Sequence, residues 1–323
     1  MVSETRSVVG NVPTTRKTVS IGSRGLWESI RKHQMLYWLM LPPLIYFLVF
    51  RYGPFWYAQI AFRDFSPRLG VAGSPFVGFK HLESFFNSFY FEQLITNTLV
   101  ISFSKLLIGI PAAIILAILF HEARARWLQR ITQTFTFLPH LLSWVIVSGI
   151  LLAVLSPSEG LLNQTIRTFG GEPISFLTAP EHFRGVIILS DVWKEVGWSA
   201  ILYLAALLSI DPTLYEAAAV DGASRLQRIW YISLPGIVNV VVLVMLLRIG
   251  HILDAGFGQI YNIYSLPVYS VSDIIDTWVY REGLLNFRFS LATAVGLFKG
   301  VIGVLLIVVA NRIAKRLTDQ SLY

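Results

Sequence analysis

The stretch YEAAAVDGASRLQRIWYISLPGI runs from Tyr215 to Ile237 and separates two apolar tracts, AILYLAALL (200–208) and VVVLVMLL (240–247). It is too polar to lie in lipid and too rich in helix formers to be an idle loop. Asp211-Pro212 just before it is a helix start, an N-cap acceptor followed by proline at the first helical position. The helix continues through Tyr215 to Val220. Asp221-Gly222 is a stop signal, Ala223 to Tyr231 reads as a second helix, and Pro235 opens the next apolar tract. The spacing predicts helix–turn–helix over 209–235.

The flanking tracts repeat along the chain. Of 323 residues, 54% are hydrophobic and 14% charged, against about 25% charged in a soluble domain. A run of roughly 20 apolar residues crosses a bilayer core. Six such spans are predicted, at 36–57, 94–120, 134–155, 186–208, 236–255 and 290–310. The expected fold class is all-α, a polytopic membrane protein with six transmembrane helices and both termini on one side. Bulky VFRYGPFW (49–56) ends the first span with no small-residue cleavage site, so that span reads as an uncleaved anchor.

Charge orients the spans. The N-terminus, 121–134, 209–235 and the C-terminus hold 14 cations and 7 acids. The opposite segments hold 8 cations and 10 acids, counting Arg51 and Asp254 at span ends. Lys and Arg concentrate in cytoplasmic loops, which places 209–235 and both termini in the cytoplasm. The net charge of +7 thus reflects orientation in a membrane and not binding to nucleic acid. Residues 1–20 lack apolar periodicity and read as disordered. Leu26, Trp27 and Ile30 share a helical face beside Arg24, Arg31 and Lys32, which fits either a surface-lying helix or a basic topogenic flank. The organisation is a cytoplasmic lead (1–35), a six-span domain (36–318) and a short tail (319–323). Segments 58–93, 156–185 and 256–289 read as external loops with short helices.

The chain carries no catalytic signature. There is no cysteine, no G-x-x-x-x-G-K-[ST], no G-x-S-x-G and no H-E-x-x-H, and six histidines are scattered. No metal site is expected. Four cations do lie inside spans: Lys105, Lys194, Arg248 and Lys299. Intramembrane charge is costly, about 2.5–3.5 kcal/mol each, and faces a bundle interior or a watery path. Asp191 stands three residues before Lys194, an i, i+3 spacing that suits an ion pair. Two readings follow. The cations line a path for an acidic solute, or Lys194 pairs with Asp191 and the others pair with a partner subunit. Trp198 offers an aromatic face for a sugar or for helix packing.

Glu216-Ala217-Ala218, three residues, Gly222, nine residues and Ile232-Ser233-Leu234-Pro235 together resemble the EAA loop of ABC importer permeases. Over 36–318 the chain is similar to their carbohydrate branch, through LPPLIYFLVFRYGP (41–54), GLLNQTIRTFGGEPISFL (160–177), DVWKEVGWSAILYLAAL (191–207) and VYSVSDIIDTWVYREGLLNFRFS (268–290). The last tract looks most like permeases for alginate or oligogalacturonide fragments, although Ser265-Leu266-Pro267 departs from the Asn-Pro of that group.

The resemblance implies a type I importer permease in the inner membrane and a division of labour. A cytoplasmic coupling helix, built on Glu216, Ala217, Ala218, Asp221, Gly222, Ile232, Leu234 and Pro235, docks on an ATPase subunit. The partners implied are a second permease chain, two ATPases that bind the ATP and Mg, and an external solute-binding protein. The cargo implied is an oligo- or polysaccharide, and an acidic one is suspected from the in-span cations. The alternatives are an ABC permease for peptides or amino acids, and an ion-coupled secondary transporter. The last would show an inverted repeat, and none is seen in the sequence.

Overall fold

The computed structural model describes residues 31–123 and 125–318. The chain forms two compact units, divided between Tyr57 and Ala58. The described part of the first unit is helical: α1 (Gln34–Phe47) leads into a π-helical segment, Leu48–Tyr52, and a short helix, Gly53–Tyr57. Pro42 and Pro43 lie inside α1. The predicted features of residues 1–30 and of the tail 319–323 lie outside the described residues.

In the second unit the principal helices are α2 (Lys80–Phe86), α3 (Phe91–Glu122), α4 (Arg126–Leu141), α5 (Trp144–Leu155), α6 (Leu161–Thr168) and α7 (Pro180–Leu208). They are followed by α8 (Pro212–Val220), α9 (Arg225–Arg228), α10 (Leu234–Gly250), α11 (Phe257–Ile263), α12 (Tyr269–Ser272), α13 (Ile275–Tyr280) and α14 (Phe289–Thr318). Among the described residues the only β pairing is an isolated bridge between Arg63 and Phe76. Among the described residues four helices are long and apolar enough to cross a membrane, and two bent helix pairs raise the number to six if each pair is one span. The segments expected to be external are ordered and carry the short helices α2, α6 and α11–α13.

The centre of the unit is α3 against α7. Ala113 and Ala117 of α3 and Ala200 of α7 are fully buried, and Tyr203, Leu207 and Ile237 close the cluster. In lipid, apolar surface alone does not drive helices together, so small residues that admit close backbone contact do. Gly197 shows this most sharply, because a Cβ there would overlap the Thr136 carbonyl of α4.

Two predicted boundaries are corrected. The span expected over 134–155 is two helices, α4 and α5, bent by 105°. Pro139 lacks an N–H and cannot bond back into α4, while Leu142 and Ser143 are extended. The Ser143 side chain then accepts from Ile146 N at 3.3 Å and starts α5 afresh. The span expected over 236–255 runs from Arg225 to Gly250 as one 26-residue helix. A π-helical segment, Ile229–Ser233, precedes Pro235. The wider i→i+5 turn tolerates a residue that neither donates its bond nor fits the preceding carbonyl.

Candidate functional site: the EAA loop and a charged belt

The EAA loop folds from its own local signals. The Asp211 carboxylate accepts from Thr213 N at 2.9 Å, which holds its pKa below the usual value. Pro212 follows at the first position of α8. Beyond Val220, Gly222 adopts φ +78°. Its N–H donates to Ala219 O at 3.2 Å, and Ala223 N donates to Ala218 O at 2.9 Å. These two bonds make a Schellman cap, which needs a left-handed residue at this position. Ser224 and Gln227 then form a reciprocal capping box that opens α9.

The loop is anchored at its root and bare at its tip. Helix α8 turns 70° away from α7. Tyr215 OH lies 3.0 Å from Ser233 Oγ, which is buried at the base of the next span. A Cβ on Gly236 would overlap Ile210, so the two ends of the loop pack without a gap. Glu216, Ala217, Asp221 and Gly222 are exposed, as is Pro235, while Ala218, Ile232 and Leu234 are half-buried. Val220 is 89% exposed and Leu226 is 72% exposed. The predicted coupling residues are therefore brought to one protruding element and its base.

The in-span cations form a belt of polar contacts. Lys105 of α3 is buried, and its Nζ lies 3.0 Å from Asp191 of α7. It also donates to Ala255 O at 3.0 Å and to Gln259 Oε1. Gln259, fully buried, donates in turn to Ile187 O and Ser190 Oγ. The pairing of Lys194 with Asp191 is thereby corrected. Lys194 Nζ donates instead to His140 O at 2.8 Å and lies 3.3 Å from Glu195. The last carbonyls of a helix have no partner within it, and Lys194 caps the end of α4 at the bend. His140 Nδ1 lies 2.9 Å from Glu195, and its ring stacks on Trp198 at 5.0 Å and 3°.

Lys299 of α14 meets Asp276 at 2.7 Å and Asp254 at 2.6 Å. Arg248 differs from these three lysines. Its Nη2 donates to Ser199 Oγ at 2.7 Å, and no carboxylate among the described residues lies within ion-pair distance of it. Arg248, expected inside its span, sits in the last turn of α10. The helix that carries it starts at Arg225, eleven residues before the predicted start at 236, and stops at Gly250, and a cation is favoured at that end of the dipole. Lys105, Asp191, Arg248, His251 and Asp254 line one cavity of about 420 Å³.

Gln259, Ser199, His140, Asp254 and Asp276 were absent from the sequence reading of this belt. Each comes from another element than the cation it serves, so no local spacing could reveal it. Among the described residues no group of three or more His, Asp or Glu is placed to hold a metal ion.

Comparison with known proteins places this geometry. Residues 109–320 match the model of the family described as binding-protein-dependent transport system inner membrane component. The polygalacturonan/rhamnogalacturonan transport system permease protein YteP of Bacillus subtilis (strain 168) is 44% identical over 292 residues, 90% of this chain and 91% of that protein. Among solved structures, a bacterial ABC transporter that imports the acidic polysaccharide alginate has a chain 40% identical to this one. Its TM-score is 0.84, with 91% of this chain and 99% of that chain covered. A bacterial alginate ABC transporter in complex with an alginate pentasaccharide-bound periplasmic protein matches at 39% identity and TM-score 0.84, covering 92% and 99%. This all-helical, membrane-embedded chain belongs to the family of binding-protein-dependent transport system inner membrane components.

Proposed function

We propose that this chain is one permease subunit of an ATP-driven importer that passes an acidic oligosaccharide across the inner membrane. The observation that carries the cargo class is Arg248, a guanidinium at a cavity wall with no carboxylate partner among the described residues. An intramembrane charge that faces a cavity without a counter-ion marks a candidate substrate path. The printed functions of the similar proteins, polygalacturonan and alginate transport, point to the same chemistry.

In this reading residues 36–318 form the transport domain and both termini are cytoplasmic. A second permease chain completes the path, and a solute-binding protein delivers the sugar outside. ATP and Mg belong to two separate ATPase subunits, and this chain is non-catalytic. The exposed Glu216-Ala217 face of α8 docks on an ATPase, and the anchored root transmits the motion. Lys105 and Lys299 shape the cavity through their ion pairs, while Lys194 and Trp198 lie outside its lining and hold His140 at the α4–α5 bend.

The test is uptake by the complete importer in proteoliposomes, with matched acidic and neutral oligosaccharides. Arg248→Gln should lower uptake of the acidic series about tenfold or more and leave a neutral series, where transported, within about twofold; a tenfold change is about 1.4 kcal/mol. Equal loss for both series overturns the acidic reading. Failure of wild type to co-purify with any ATPase overturns the importer reading.

A further inference from the structure

We propose that the aromatic side chains of residues 257–281 form a stacking track that leads an oligosaccharide chain into the Arg248 cavity. The inference rests on the saccharide reading above and adds a second, external part to the binding site. Tyr264 and Tyr269 stack at 4.8 Å and 13°. Tyr261 lies 6.1 Å from Tyr264, and Phe257 stacks on Tyr261 at 5.3 Å and 23°. Tyr280 closes the far end, 4.8 Å from Tyr261 and 5.6 Å from Phe257. The Arg281 guanidinium lies over the Tyr269 ring at 5.1 Å.

Local structure explains the succession. Phe257, Tyr261 and Tyr264 follow at i, i+4 and i+7, which puts them on one side of α11 and its end. The Leu266–Val268 3-10 turn, with Pro267, returns the chain so that Tyr269 meets Tyr264. Helix α13 is tied down from below. The buried Asp273 accepts from Thr277 Oγ1 at 2.7 Å and from Arg281 Nη2 at 2.6 Å.

Two of the five rings line a cleft that is linked to the Arg248 cavity through one ion-paired lysine. Phe257 and Tyr280 line a cleft of about 550 Å³ together with Asp276. Lys299 joins Asp276 of that cleft to Asp254 of the Arg248 cavity, so one ammonium stands between the two spaces.

The chemistry favours a sugar. The rings that serve as core, such as Phe85 and Tyr203, are fully buried. The track rings are half-buried, and Tyr261 is 39% exposed. Four of the five carry a hydroxyl, and those of Tyr261 and Tyr280 are 3.3 Å apart. A pyranose ring offers C–H faces to stack and hydroxyls to bond, and an aromatic ring with a polar tip serves both. Stacking tolerates sliding from ring to ring, which suits a chain in transit.

The test measures KM and kcat for uptake of a galacturonate disaccharide and pentasaccharide by the complete importer in proteoliposomes. Tyr261→Ala and Tyr264→Ala should raise KM for the pentasaccharide about five- to tenfold, with KM for the disaccharide and both kcat values within about twofold. Tyr261→Phe and Tyr264→Phe, which keep the rings and lose only the hydroxyls, should raise the pentasaccharide KM less than the alanine variants do. Equal effects on both lengths, or no effect, overturn the track. Loss of the second permease chain on purification of the alanine variants also overturns it, because the rings then serve subunit packing. Arg248→Gln is measured in parallel. If it removes acidic uptake while the tyrosine variants are unaffected, the track falls and the cargo reading stands.

Discussion

Lys105 of α3 and Asp191 of α7 meet at 3.0 Å, although Asp191 stands a single helical turn from another lysine, Lys194. Side-chain spacing along one helix permits the shorter pairing. The packing of α3 on α7 decides the longer one, and it leaves Lys194 to cap α4.

Breaking this pair should be more harmful than removing it. Lys105→Gln leaves Asp191 without its cation and should destabilise the protein by about 3–5 kcal/mol, while Lys105→Met with Asp191→Leu should recover much of that loss. Thermal unfolding of the detergent-solubilised variants reads the difference. A double variant as unstable as the single one would assign the stability to the Ala255 and Gln259 contacts of Lys105 instead.

The Gly222 position should accept asparagine better than any other side chain. At φ +78° a β-branched residue is strained, and the left-handed conformation costs an L-residue about 1–2 kcal/mol. Gly222→Asn should retain most transport and ATPase co-purification, Gly222→Val should lose both, and global unfolding should shift little because the loop tip is exposed. Equal behaviour of the two variants would show that the cap does not hold α8 in its working shape.

Gly197 should tolerate no side chain at all. Any Cβ there meets the Thr136 backbone, which cannot rotate away as a side chain would. Gly197→Ala should cost at least about 1–3 kcal/mol, as overpacking does, and should loosen α4 from α7. Gly296, which has open space around its Cβ position, is the control. Comparable melting of Gly197→Ala and Gly296→Ala would refute the close contact.

Acid should release the loop around Asp64. Its carboxylate accepts from Lys80 Nζ at 2.7 Å and faces His81 Nε2 at 3.1 Å. The Lys80 hydrogen bond holds the Asp64 pKa below its ordinary value. A carboxyl lowered in this way stabilises the fold above its unfolded pKa of about 3.9, and the contribution is lost as pH falls through the lower folded value. Wild type should therefore approach Asp64→Asn in stability below about pH 4 and exceed it slightly near neutrality, since the pair is partly exposed and screened. A constant gap across that range would mean that the pair does not contribute through charge.

Much of the fold was legible before any coordinates. The apolar tracts located the membrane helices, and the loop 209–235 announced its first cap and its stop through Asp211-Pro212 and Gly222. Those features depend on residues within one or two turns of each other. The errors came at proline. Pro139 and Pro235 look alike as breakers, yet one ends a helix at a 105° bend and the other is carried through by a π-helical segment. The difference lies in the neighbours that hold each backbone, and local sequence does not contain them.

The charged belt divides in the same way. Lys105, Lys194, Arg248 and Lys299 stood out by themselves, because charge within an apolar tract is costly wherever it is placed. Their partners did not: Asp191 stood out only as a mate for Lys194. Asp191, Gln259, Asp254 and Asp276 are brought to Lys105 and Lys299 by contacts between helices and returning loops. The sequence by itself determined which segments enter the membrane, the local fold of the EAA loop and which cations need an explanation. Only tertiary structure decided which three are answered by carboxylates and that Arg248 is left facing a cavity. Periodicity and caps act over a few residues, whereas neutralising a buried charge needs a partner close in space from anywhere in the chain.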